Sequence, residues 1–176
     1  DWQRKLTIGA PTETDPAIAM DASAVYVAGA TEEAPGPYAV DTDLVLSAYD
    51  PATGDLRWRE HFDLPGHEEF VRSLAARRRL VVVGGASTDL EEADFAWIVR
   101  AHDARSGALR WSDEAAPGQG AALVQGVAIG GGRVFAAGSA SDASGFTHWL
   151  VRAYDPADGH VAWEEQADFG GPLEFA

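Results

Sequence analysis

The side chains in this chain that could do chemistry fall into a few sets, and each set has a plainer use beside it. The run Thr88-Asp-Leu-Glu-Glu-Ala-Asp94 brings Asp89, Glu91, Glu92 and Asp94 within six positions, so their oxygens could coordinate calcium. Their spacing does not follow an EF-hand loop, and a solvated acidic loop accounts for them more simply. They are the metal candidates carried forward; no catalytic or cofactor-binding residue is assigned, and no cofactor is expected. Asp50, Asp103 and Asp155 recur at one place in a repeated segment, and a carboxylate present in every repeat reads as a folding device before a catalyst. His61 and His67 flank a loop, no histidine pair has zinc spacing, and His102 stands where Tyr49 and Tyr154 stand, as a packing variant. Arg77-Arg78-Arg79 occupies a turn and reads as solvated or paired with acids rather than as a nucleic-acid contact.

Nucleophilic catalysis lacks its parts. Cysteine is absent, and there is neither a Gly-x-Ser-x-Gly elbow nor a phosphate-cradling glycine loop. Among 28 acidic residues some carboxylates will approach each other by accident, so no pair is singled out for glycoside hydrolysis. The formal charge of −15 opposes binding to nucleic acid or to anionic membrane surfaces. No run approaches the roughly 20 apolar residues of a membrane-spanning helix. The chain opens on Asp-Trp-Gln-Arg without an initiating Met, which suggests a removed signal segment or a piece of a longer protein.

The elements that must position these residues are repeated. Ala48-Tyr-Asp-Pro-Ala-Thr-Gly-Asp-Leu-Arg-Trp58, Ala101-His-Asp-Ala-Arg-Ser-Gly-Ala-Leu-Arg-Trp111 and Ala153-Tyr-Asp-Pro-Ala-Asp-Gly-His-Val-Ala-Trp163 superimpose, with their first aspartates 53 and 52 positions apart. Before each comes a second shared segment, Ala24-Val-Tyr-Val-Ala-Gly-Ala30, Leu80-Val-Val-Val-Gly-Gly-Ala86 or Arg133-Val-Phe-Ala-Ala-Gly-Ser-Ala140. Short β-branched and aromatic runs bounded by Asp, Pro and Gly predict about four strands per repeat. No capped helical period interrupts them. Four antiparallel strands in roughly 40–50 residues is the arithmetic of a β-propeller blade. A two-sheet sandwich would explain the alternation but not a repeated motif of that length.

The signature Ala-x-Asp-x-x-x-Gly-x-x-x-Trp resembles bacterial propellers of the quinoprotein-like superfamily, which include non-enzymatic outer-membrane assembly lipoproteins. The longer pattern from Val25-Tyr-Val-Ala-Gly-Ala-Thr31 to Trp58 is similar to seven-bladed propeller repeats of exported proteins. The expected fold is therefore all-β, with three full blades of four antiparallel strands and, around Trp2, the last strand of a preceding blade. The expected divisions are 1–10 for that strand, 11–63, 64–116 and 117–170 for the blades, and 171–176 for a tail. Propellers use typically four to eight blades, so this arc should belong to a larger propeller or be completed by other copies of itself.

The resemblance implies a non-catalytic scaffold that binds a protein or other ligand, in an exported or periplasmic setting. Its variable, acidic loops would be the recognition surface. The alternative is an enzyme acting at the ring axis, either a quinone-dependent oxidoreductase or a carboxylate-based hydrolase.

Overall fold

Short apolar runs punctuated by Asp, Gly and Pro form strands here because their alternate side chains find a neighbouring sheet on one or both faces. The structure, a computed structural model, describes residues 16–33, 41–63, 67–89, 95–115 and 120–167. They form twelve strands: β1 (Ala17–Met20), β2 (Val25–Glu33), β3 (Asp41–Tyr49), β4 (Leu56–Phe62), β5 (His67–Arg77), β6 (Leu80–Asp89), β7 (Phe95–Asp103), β8 (Leu109–Ala115), β9 (Ala122–Gly130), β10 (Arg133–Ser141), β11 (Thr147–Tyr154) and β12 (Val161–Ala167). No helix occurs among the described residues. The strand expected around Trp2 and the tail lie outside them. So do Glu91, Glu92 and Asp94, while the backbone of Asp89 closes β6.

Consecutive strands pair antiparallel in three four-strand meanders, β1 to β4, β5 to β8 and β9 to β12. A single parallel bridge, Thr42 with Glu68, joins the first meander to the second. The first strands β1, β5 and β9 pack beside one another, whereas the fourth strands share no comparable contact. The meanders therefore fan out from their first strands, as propeller blades do.

Alternation explains which faces are buried. In β6, Val81 and Val83 face a core shared with Tyr26, Leu44 and Leu46 of the first blade. Leu80 and Val82 face a second core shared with Val124, Val134, Leu150 and Tyr154 of the third. The central blade is thus apolar on both sides, and its Leu80-Val-Val-Val83 run is continuous for that reason. The outer blades bury one side each. Ile18 and Met20 on the first blade stay 69% and 66% exposed.

The small residues of the second strands have two different causes. A Cβ on Gly84 would lie 2.5 Å from Val127 Cγ1, so its lack of a side chain lets β9 of the next blade approach. Gly85 and Gly138 face irregularities within their own sheets instead. The register shifts beside them, and a Cβ would collide with the Phe70 or Leu123 carbonyl oxygen.

Candidate functional site

Asp50, Asp103 and Asp155 open the hairpins between third and fourth strands, and each has a carboxylate oxygen bound to the turn backbone. Asp50 Oδ1 accepts the backbone N–H groups of Ala52 at 2.8 Å and Thr53 at 3.1 Å. Asp103 Oδ1 takes those of Arg105 and Ser106, and Asp155 Oδ1 that of Ala157. Each aspartate carbonyl also accepts the N–H of the hairpin glycine, Gly54, Gly107 or Gly159, which has a positive φ. The second carboxylate oxygens of Asp50 and Asp103 accept from Arg57 and Arg110. Those hydrogen bonds, with the turn N–H groups, hold both carboxyls down at about 2.

These hairpins are also where one blade receives the next. Trp58 on β4 donates from Nε1 to the Ala104 carbonyl of the second blade's hairpin at 3.1 Å. Trp111 on β8 donates to the Pro156 carbonyl of the third blade's hairpin at 3.2 Å. The indole lies against the hairpin glycine, so that a Cβ on Gly107 would be 2.7 Å from Trp58 Cε3 and one on Gly159 2.6 Å from Trp111 Cδ2. Aspartate, glycine and tryptophan recur together because one shapes the turn, one leaves room, and one fills it from the adjoining sheet.

Between the second and third blades this apolar docking is reinforced by a polar seam. Tyr154 Oη donates to Asp113 Oδ2 at 2.7 Å and accepts from Trp97 Nε1 at 3.0 Å. Arg152 donates to Asp113 at 3.0 Å and to Glu164 at 2.6 Å. Burial, then the neighbouring Asp113 carboxylate, pushes the Tyr154 phenol up, so it serves as a fixed donor rather than as an acid. His102, in the corresponding place on β7, is buried with Nδ1 2.8 Å from the Gly107 carbonyl. Desolvation lowers its pKa to about 4 and keeps it neutral. It is a packing and hydrogen-bonding residue, as its alignment with two tyrosines suggests.

Among the described residues, cavities open between these blades at opposite ends of their strands. One, of about 270 Å³, lies beside Phe70, Arg72 and Phe95 near the ends of β9 to β11. The other, of about 410 Å³, lies at the hairpin end and is lined by Arg77, Arg78, Arg79, Arg110 and Arg133 above Ile129, Pro156 and a glycine turn. The three consecutive arginines thus meet two others that the sequence places 31 and 54 positions beyond Arg79. No spacing rule signals that convergence. Among the described residues no three His, Asp or Glu side chains are placed to hold a metal ion. No helix there is long and apolar enough to cross a membrane.

Comparison with known proteins follows the same line. Residues 2–169 match the family model described as outer membrane protein assembly factor BamB. No curated protein matches the chain. Among solved structures it is similar to a quinohemoprotein alcohol dehydrogenase of Pseudomonas putida, with a TM-score of 0.61 and 14% identity over 85% of this chain. It is similar also to the quinohemoprotein alcohol dehydrogenase of Comamonas testosteroni, with a TM-score of 0.59 and 14% identity over 85% of this chain. The chain spans about a quarter (26%) of the length of either protein, and at such identity the likeness is one of fold.

Proposed function

The chain belongs to the family of the outer membrane protein assembly factor BamB, and from that premise we propose that it is a rigid, non-catalytic β-propeller scaffold for binding proteins. The observation that carries this reading is the use made of Asp50, Asp103 and Asp155. The carboxylates that recur in all three repeats are bound to turn N–H groups, two of them also hydrogen-bonded to arginine, which is the work of a folding device. Tryptophan docking supplies rigidity, because each blade is fixed to the next by an apolar ring and a hydrogen bond.

The blades correspond to 11–63, 64–116 and 117–170, and the arc is one part of a larger ring. Trp97 is fully buried and Trp111 is 6% exposed against the third blade, while their counterparts Trp149 and Trp163 are 62% and 47% exposed. That face has the chemistry to receive another hairpin, from further blades of the same chain or from a second copy. Recognition of partner proteins falls to the loops between second and third strands. In the third blade, Asp142 shapes this loop by accepting the Ser144 and Phe146 N–H groups, and it leaves the Phe146 ring 68% exposed.

A quinone enzyme is the rival that the solved neighbours bring to mind, and its cofactor chemistry is directly measurable. Metal and quinone analysis of the purified protein is expected to find no stoichiometric calcium and no quinone absorbance. Stoichiometric amounts of both would overturn the scaffold reading.

A further inference from the structure

The cavity at the hairpin end between the second and third blades is strongly charged, and its sign opposes that of the whole chain. Five of the chain's twelve arginines line it, in a protein of net charge −15. Among the described residues, two carboxylates come within ion-pair distance of them. Asp103 is shared by Arg110 and, at a loose 3.9 Å, by Arg79, and Asp155 faces Arg133 at 3.8 Å. Arg77 spends one guanidinium nitrogen on the Ile129 carbonyl. Arg78 has no ion-pair partner among the described residues. Among the described residues about three of the cavity's positive charges are therefore uncompensated, all on planar groups suited to oxyanions.

The backbone adds an independent sign. β5 and β6 are joined by the two-residue turn Arg78-Arg79, and β9 and β10 by the corresponding turn Gly131-Gly132. Both glycines have positive φ, 54° and 75°, which costs them nothing. Arg78 is held at φ 60°, the one non-glycine residue with positive φ among those described. The turn is anchored in that state by the Ala104 N–H, which donates to the Arg79 carbonyl at 3.0 Å. A position where glycine relieves the backbone instead carries an arginine facing the cavity, and strain kept in this way marks a site where the side chain is needed. Opposite it, Gly131 and Gly132 have nothing within 4 Å of where a Cβ would be, so the glycine turn leaves open space.

We propose that this cavity binds a multivalent phosphate-bearing anion, gripped by Arg78 and Arg133 and neutralised further by Arg77 and Arg79. A single carboxylate would answer one of about three surplus charges, whereas a phosphoryl group with two or three negative charges answers them together. A volume of about 410 Å³ accommodates a diphosphate-sized group with part of what it is attached to. This site is independent of the scaffold reading and stands or falls without it.

Calorimetric titration of the protein with inorganic pyrophosphate, at low ionic strength, tests the proposal. One pyrophosphate per chain is expected, and Arg78→Gly and Arg133→Gln should each weaken it about tenfold, the loss of one hydrogen bond to a charged group. Arg78→Gly should leave the melting temperature unchanged or raise it, because the turn then loses its strain. Arg72→Ala removes the same charge at the other cavity and should leave affinity within about twofold. Absence of pyrophosphate binding, an equal loss in Arg72→Ala, or citrate binding as tightly as pyrophosphate would each overturn it. Cosedimentation with vesicles containing phosphatidate separates the two sources of the group. Sedimentation abolished by Arg78→Gly assigns a lipid headgroup, and pyrophosphate binding without sedimentation assigns a soluble phosphorylated ligand.

Discussion

Replacing Gly107 by alanine separates the two demands that the structure places on a hairpin glycine. Gly107 has φ 81°, and a Cβ there would lie 2.7 Å from Trp58 Cε3 and 3.0 Å from Trp58 Cδ2. Gly145 has nearly the same φ, 79°, but nothing within 4 Å of its Cβ position. Gly145→Ala therefore meets only the left-handed penalty, about 1 kcal/mol. Gly107→Ala meets that penalty and must also push back the Trp58 ring. The push weakens the hydrogen bond to the Ala104 carbonyl, worth about 1 kcal/mol. It also uncovers part of the indole, costing about 1 kcal/mol more for roughly 40 Å². The expected total is about 3 kcal/mol against about 1. For a chain of this size that corresponds to a fall in Tm of about 9 °C against about 3 °C. Thermal unfolding followed by tryptophan fluorescence reads both values. Equal losses in the two variants would refute the idea that the indole docks against the glycine.

Three other outcomes are expected. Gly159→Ala should resemble Gly107→Ala, because its Cβ would meet Trp111 at 2.6 Å in the same arrangement; denaturant midpoints compare the two directly. Asp113→Ala removes the shared acceptor of Arg152 and Tyr154 from the seam between blades and should cost about 2–3 kcal/mol in urea unfolding. His102, at about 4 when folded and 6.5 in the reference state, makes stability fall as pH drops. Between those values the unfolded chain binds a proton that the folded chain refuses, a loss approaching about 3 kcal/mol by pH 4. His102→Phe should flatten that part of the pH profile. The steeper loss below pH 3.8, where Asp50 and Asp103 are protonated more readily in the unfolded chain, should remain in that variant.

The repeat was legible because its parts are local. Asp50, Gly54 and Trp58 lie within nine positions, and a turn aspartate, a positive-φ glycine and an alternating strand each follow from neighbours in the chain. The glycine pairs were less transparent. Gly84 answers the approach of the next blade, whereas Gly85 and Gly138 answer bulges in β5 and β9, and composition cannot tell these causes apart. The polar seam was hidden, because its bonds join Trp97 and Asp113 of one repeat to Tyr154 of the next, and no local spacing announces a contact between repeats. The arginine cavity was hidden for a similar reason. Arg77-Arg78-Arg79 read as a solvated turn, and only the apposition of two blades adds Arg110 and Arg133 to it. The calcium candidates Asp89, Glu91, Glu92 and Asp94 belong to an acidic loop whose side chains lie outside the described residues.

Oxidative footprinting of the six tryptophans, read by mass spectrometry, addresses the stacking of blades without any substitution. Trp97 and Trp111 are sealed by the third blade, whereas Trp149 and Trp163 occupy the same places on a face that the described residues leave exposed. In the 176-residue chain, Trp149 and Trp163 should be oxidised well before Trp97 and Trp111. Equal rates across the two pairs would contradict docking of one blade on the next.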